Sequence, residues 1–170
     1  MRAAVFHKAG EPLHLETVPD PEPGEDDVIL AVTGSGICGS DLHVTEMPGL
    51  VAPGSILGHE FAGTIVAMGR DAQAAGWRVG DRVTALPLYP CRRCDACDAG
   101  LPALCPQAIF SGFAPGKEGA YAQFVRASTD KLQRVPAGID DDTAAMIEPL
   151  AVAHHTVARA HIRPDDRVLV

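Results

Sequence analysis

Six consecutive residues, Cys38-Gly39-Ser40-Asp41-Leu42-His43, offer a soft metal ligand, a hydroxyl, a carboxylate and an imidazole. They follow a strand-like run, Val28 to Thr33, and a Gly34-Ser35-Gly36 break at which backbone can be held close to a ligand. Alone, such a hexapeptide is more often a turn and a helix cap than a site. Two further stretches change that reading. Gly58-His59-Glu60 puts an imidazole and a carboxylate at the start of a strand, where side chains can face a site instead of the core, and Glu148 stands before Pro149 at an expected helix break. Taken singly, His59 is an ordinary strand-end residue and Glu60 and Glu148 are solvated acids. Together, Cys38, His59, Glu60 and Glu148 make an open zinc site, with room for water or substrate.

The remaining cysteines, Cys91, Cys94, Cys97 and Cys105, are separated by two, two and seven residues. Three at i, i+3 and i+6 can curl around one ion, and a fourth beyond the Gly100-Leu101-Pro102 turn can close a tetrahedron. Four thiolates leave no open position, so this zinc is expected to be structural, holding a lobe too poor in apolar surface to fold by itself. A rival is an iron–sulfur cluster, which the repeated two-residue spacing and Cys105-Pro106 also suggest. That pattern has a shorter last gap and needs more apolar cover. Disulfides are the third option, disfavoured in a reducing compartment.

The elements that must position these residues read as mainly β. Short strands are expected at Ala3–His7, Leu13–Val18, Val28–Thr33, Phe61–Val66, Arg82–Leu86, Ala120–Val125 and Lys131–Val135. Their spacing, with 17 Gly and 14 Pro in 170 residues, suggests a barrel-like domain. Asp140 to Thr143 supplies helix caps. A first helix is expected to break before Pro149, and a second to carry Leu150, Ala153, Val157 and Ala160 on one face. Val168-Leu169-Val170 reads as the start of a buried parallel strand. The net charge of −8, with no basic cluster, argues against a nucleic-acid surface. No apolar run approaches the ~20 residues of a membrane span, and Met1 to His7 turns polar too soon for a secretory signal, so a cytoplasmic chain is expected.

In this order, Cys-Gly-Ser-Asp-Leu-His, Gly-His-Glu-Phe-Ala-Gly, Gly-Asp-Arg-Val, the four-cysteine lobe and Glu-Pro-Leu-Ala-Val-Ala resemble the zinc-dependent medium-chain alcohol dehydrogenases, over Met1 to Val170. Glu148, where other members carry a second cysteine, looks more like the polyol, butanediol and threonine dehydrogenase branch. The resemblance implies a GroES-like β-barrel catalytic domain over 1–140, with the zinc lobe at about 88–110. Residues 141–170 would then be connecting helices and the start of a Rossmann domain that binds NAD or NADP. It implies two zinc ions, one catalytic and one structural, and oxidation of a secondary alcohol or polyol to a ketone. Zinc as a Lewis acid would lower the pKa of the bound hydroxyl so that an alkoxide forms, and hydride would pass to nicotinamide. Ser40 would accept the proton and hand it to His43. Asp41 would hold His59 in its metal-binding tautomer. Glu60 would exchange with water as a ligand, and Glu148 would act through water. Gly39, Ser40 and Val152 would border the cofactor.

The family's phosphate-binding glycine fingerprint should follow Val170 and is absent, and the Gly34 to Gly39 match to that fingerprint lacks its βαβ context. The expectation is therefore a piece of a longer, usually dimeric or tetrameric, dehydrogenase that binds zinc but does not turn over by itself. A stand-alone zinc-binding module is the alternative. His7 and His14 give no signal, and His154, His155 and His161 read as helix-surface or packing residues.

Overall fold

Val28-Ile29-Leu30 is buried throughout, because its strand is flanked on both sides by partners and packed beneath other elements. The computed structural model describes residues 1–114, 116–163 and 165–169. Its strands are β1 (Arg2–Phe6), β2 (His14–Thr17), β3 (Asp27–Ser35), β4 (Ser55–Ile56), β5 (Phe61–Met68), β6 (Arg82–Ala85), β7 (Leu88–Tyr89), β8 (Ile109–Phe110), β9 (Phe124–Ser128) and β10 (Leu132–Arg134). The helices are α1 (Gly39–Glu46), α2 (Arg70–Ala74), α3 (Asp95–Asp98), α4 (Asp141–Ala145) and α5 (Ile147–Ala160). Strand β3 lies inside a five-stranded sheet of order β10-β6-β5-β3-β9, while β2-β1-β4 and β7-β8 form two smaller sheets. All pairings are antiparallel. The main core joins Val28, Leu30, Phe61, Ile65, Val83 and Val125 across four strands of the large sheet.

The protein is mostly sheet, with little helix. Among the described residues the strands do not close into a barrel, since β4, β7 and β8 are two residues each and too short to carry the ladder round. Register shifts at Ile29/Leu30 and Val32/Gly34 bend β3 just before Cys38.

Several expectations are corrected. The strand placed at Ala120–Val125 begins instead at Phe124, because Ala120 and Tyr121 donate their N–H groups to Gly58 and Leu57, and Ala122 bridges Ala3. The helix break falls at Met146, not before Pro149. Pro149 sits in the first turn of α5, where an N–H has no intrahelical partner and its loss is harmless. Leu150, Ala153, Val157 and Ala160 of α5 are exposed, with no partner for that stripe among the described residues. Val168 and Leu169 are also exposed and not in a strand, with no strand beside them among the described residues, and Val170 lies outside the described residues.

Candidate metal centres

The bend in β3 delivers Cys38 to the N-terminus of α1, where it is the capping residue. His59 and Glu60 arrive from the other side, on the turn that opens β5. Core residues on both flanks, Leu57 and Phe61, are fully buried and fix that turn. One ligand atom each of Cys38, His59 and Glu60 lies within 4.8 Å of the others. His59 is 5% exposed and Glu60 7%. A carboxylate and an imidazole at that depth cost several kcal/mol unless something compensates them. A thiol, an imidazole and a carboxylate meeting in one place form a donor set that fits zinc.

One side chain braces this cluster from behind. The Asp41 carboxylate accepts the backbone N–H of Cys38 at 3.0 Å and the Tyr121 hydroxyl at 2.8 Å through Oδ2. Its Oδ1 lies 3.3 Å from His59 Nδ1, and neither atom has another partner among the described residues. With Nδ1 turned to Asp41, Nε2 is the nitrogen left for a metal. Burial by itself lowers the His59 pKa, but the Asp41 carboxylate, helped by Cys38, outweighs it and pushes it up to about 9. Burial likewise raises Asp41, yet His59, Tyr121 and the Cys38 N–H together hold it below its ordinary value. Two glycines make the room. A Cβ on Gly58, whose φ is +96°, would strike the Tyr121 ring, and one on Gly36 would strike the Glu60 carboxylate. The rings of Phe110 and Phe113 stand edge-on to His59 at 6.0 and 5.9 Å.

The other residues singled out in the sequence take different places. Glu148, in the first turn of α5, stays outside the three-ligand group. It is near enough to be perturbed: burial raises its pKa, with His59 opposing and Glu60 adding. Ser40 is half-buried on α1, and His43 is exposed one turn further along the same helix. Gly39 has open space where a side chain would be, and Val152 is exposed on α5. Tyr121, Phe110 and Phe113 had no signal in the sequence, because only the tertiary fold brings them to the cluster.

Cys91, Cys94, Cys97 and Cys105 form the second group, again with sulfur atoms within 4.8 Å of one another and all four cysteines free. Cys94 and Cys97 sulfurs stand 3.6 Å apart, close to the ~3.8 Å edge of a zinc tetrathiolate built with 2.3 Å bonds. The Cys91 N–H donates to Cys105 Sγ at 3.3 Å and, with a second N–H at Gln107, brings the Cys105 thiol down to about 7. Cys91 is pushed up to about 11: the Arg93 N–H lowers it, but burial and the neighbouring sulfurs outweigh that. The sheet β7-β8, pairing Leu88 with Phe110 and Tyr89 with Ile109, closes the base of the lobe. Among the described residues no helix is long and apolar enough to cross a membrane.

Residues 24–137 match the family described as the alcohol dehydrogenase GroES-like domain. Over 157 residues the chain is 41% identical to a sorbitol dehydrogenase of Halalkalibacterium halodurans, covering 92% of this chain and 45% of that protein. An L-threonine 3-dehydrogenase of Streptomyces avermitilis is 39% identical over 162 residues, covering 92% and 46%. Among solved structures, a candidate zinc-binding dehydrogenase of Sinorhizobium meliloti 1021, bound to NADP, superposes with a TM-score of 0.87 at 31% identity, over 95% of this chain and 46% of that one. The chain thus spans about half the length of the curated relatives it matches.

Proposed function

The chain belongs to the alcohol dehydrogenase GroES-like domain family, and from that membership we propose that it is the zinc-binding catalytic part of an NAD(P)-dependent alcohol or polyol dehydrogenase. Residues 1–140 are the catalytic unit, and 141–170 lead toward the domain that holds the nicotinamide cofactor. The substrate is a secondary alcohol or polyol and the product a ketone. The observation that carries this reading is the convergence of Cys38, His59 and Glu60 from two separate elements into one buried cluster.

Zinc, when bound there, polarises the alcohol oxygen as a Lewis acid. Cys38 through Sγ and His59 through Nε2 hold the ion, Glu60 adds an exchangeable carboxylate, and Glu148 supplies a further acid beside it. Asp41 sets the direction of the His59 ring. Ser40 takes the alcohol proton and His43, one turn along α1, passes it to solvent. Gly39, Ser40 and Val152 would border the nicotinamide, whose chemistry is to accept a hydride. The cysteine lobe carries a second, structural zinc ion.

The test is made on the full-length protein, with sorbitol and L-threonine as first substrates and NAD and NADP as alternative acceptors. Zinc-dependent oxidation is expected, with Ser40→Ala lowering kcat by ~10²-fold or more while the zinc content stays at the wild-type value. A zinc-replete protein that oxidises no alcohol or polyol overturns the reading, and loss of zinc from Ser40→Ala removes the proton-relay role.

A further inference from the structure

The hairpin β1-β2 carries metal-ligating side chains that neither centre uses. Its register sets Val5 opposite His14 and Ala3 opposite Glu16. Directly opposed residues of an antiparallel pair show their side chains to the same face, and alternate residues along a strand repeat that face. His14 and Glu16 therefore lie side by side, and His7, two residues beyond Val5, comes round to join them. One ligand atom each of His7, His14 and Glu16 lies within 4.8 Å of the others. His7 Nε2 is 2.5 Å from Glu16 Oε1, and the two imidazoles meet edge to face with centroids 5.1 Å apart. Strand β2 is the outer strand of its sheet, so the cluster is open to solvent. The side chains of His7 and Glu16 are 40% and 39% exposed. Glu11, in the connecting turn, adds negative charge near both rings.

We propose that His7, His14 and Glu16 form a third site, on the surface, for a divalent metal ion of the zinc class. Two imidazoles and one carboxylate are a donor set suited to zinc, and three protein ligands leave a fourth position for water. The ion takes the place of the direct contact between His7 Nε2 and Glu16 Oε1. Tetrahedral N and O donors at 2.0–2.1 Å stand about 3.3 Å apart, so the His7–Glu16 pair opens by roughly an ångström. Exposed side chains make such adjustments by rotation alone. Bound there, the ion ties the residue just past the end of β1 to β2 at the edge of the sheet.

The experiment titrates zinc alone into the tag-free chain whose Cys38–His59–Glu60 and four-cysteine centres are already loaded. Calorimetry is expected to show one further equivalent, and exchange of the β1-β2 backbone amides is expected to slow as it binds. His14→Gln or Glu16→Gln weakens that equivalent by at least about tenfold, since even residues that merely orient a ligand carry 10–100-fold in metal affinity. His154→Gln with His155→Gln, on exposed α5, leaves it unchanged. The proposal is overturned if no further equivalent binds. It is equally overturned if the equivalent persists in His7→Gln/His14→Gln, or if the hairpin amides are unaffected by zinc.

Discussion

The lobe from Cys91 to Cys105 collects four thiols from one short stretch of chain, whereas Cys38, His59 and Glu60 are set by a strand end, a helix cap and a core-flanked turn. Around the thiols there is almost nothing else to hold the chain: α3 has no buried residue, and Leu101 and Leu104 are exposed. Around the mixed cluster the polypeptide does the holding, through Leu57 and Phe61 on either side of the turn and Val44 on the buried side of α1. In the first case an ion would have to supply the order that a core would otherwise supply. In the second the core supplies the order that an ion can then use.

The largest effect is expected from removing the zinc proposed for the lobe. Structural zinc in small sulfur-rich pieces is worth about 10 kcal/mol or more, far beyond what so few apolar contacts can replace. Cys97→Ser should therefore cost one zinc ion and the hydrogen-exchange protection of residues 88–110, while β3, β5 and β9 keep theirs. A lobe that stays protected without metal would break the comparison. Next comes the mixed cluster. Cys38→Ala should lose the other zinc ion with the sheet intact, whereas His59→Ala should also destabilise the fold by about 3 kcal/mol by leaving the buried Asp41 Oδ1 facing no partner, as denaturant unfolding would show.

Asp41→Asn sharpens the contrast. It should weaken zinc by ~10–100-fold at the mixed cluster and leave the lobe's zinc untouched, measured by competition with a chelator of known affinity. The metal-free chain adds a pH signature. His59, raised to about 9, contributes stability that is complete below its ordinary 6.5 and lost as pH rises through about 9. Asp41, held down, contributes stability present above its ordinary 3.8 and lost as pH falls through its lower folded value. Denaturant midpoints of the metal-free wild type should thus fall between pH 6 and pH 9.5 more than those of Asp41→Asn. The smallest change is Tyr121→Phe, which removes one hydrogen bond to Asp41 and should cost about 1–2 kcal/mol with zinc still bound.

How much of this could be read from the residues alone follows from the same contrast. The four thiols were legible because their spacing is the site. Cys38, His59 and Glu60 were legible as ligand types after turns, but Tyr121 was not, since nothing local ties it to Asp41. His7, His14 and Glu16 were silent for a related reason: only the hairpin register makes neighbours of them. Most long strands were visible in their β-branched runs, whereas β4, β7 and β8 are too short to leave a pattern. The break expected at Glu148, with Pro149 opening the second helix, falls two residues earlier at Met146, because Pro149 takes the third position of α5 and the whole first turn accepts a proline.

The Asp41 carboxylate has one more consequence. It locates the Cys38 backbone with one oxygen and the His59 ring with the other, so two ligands far apart in the chain are measured from a single datum. Errors of placement along β3 and along β5 then do not accumulate across the gap between them. A small shift of α1 carries sulfur and imidazole together, and the spacing that a metal would sense is the last thing to change.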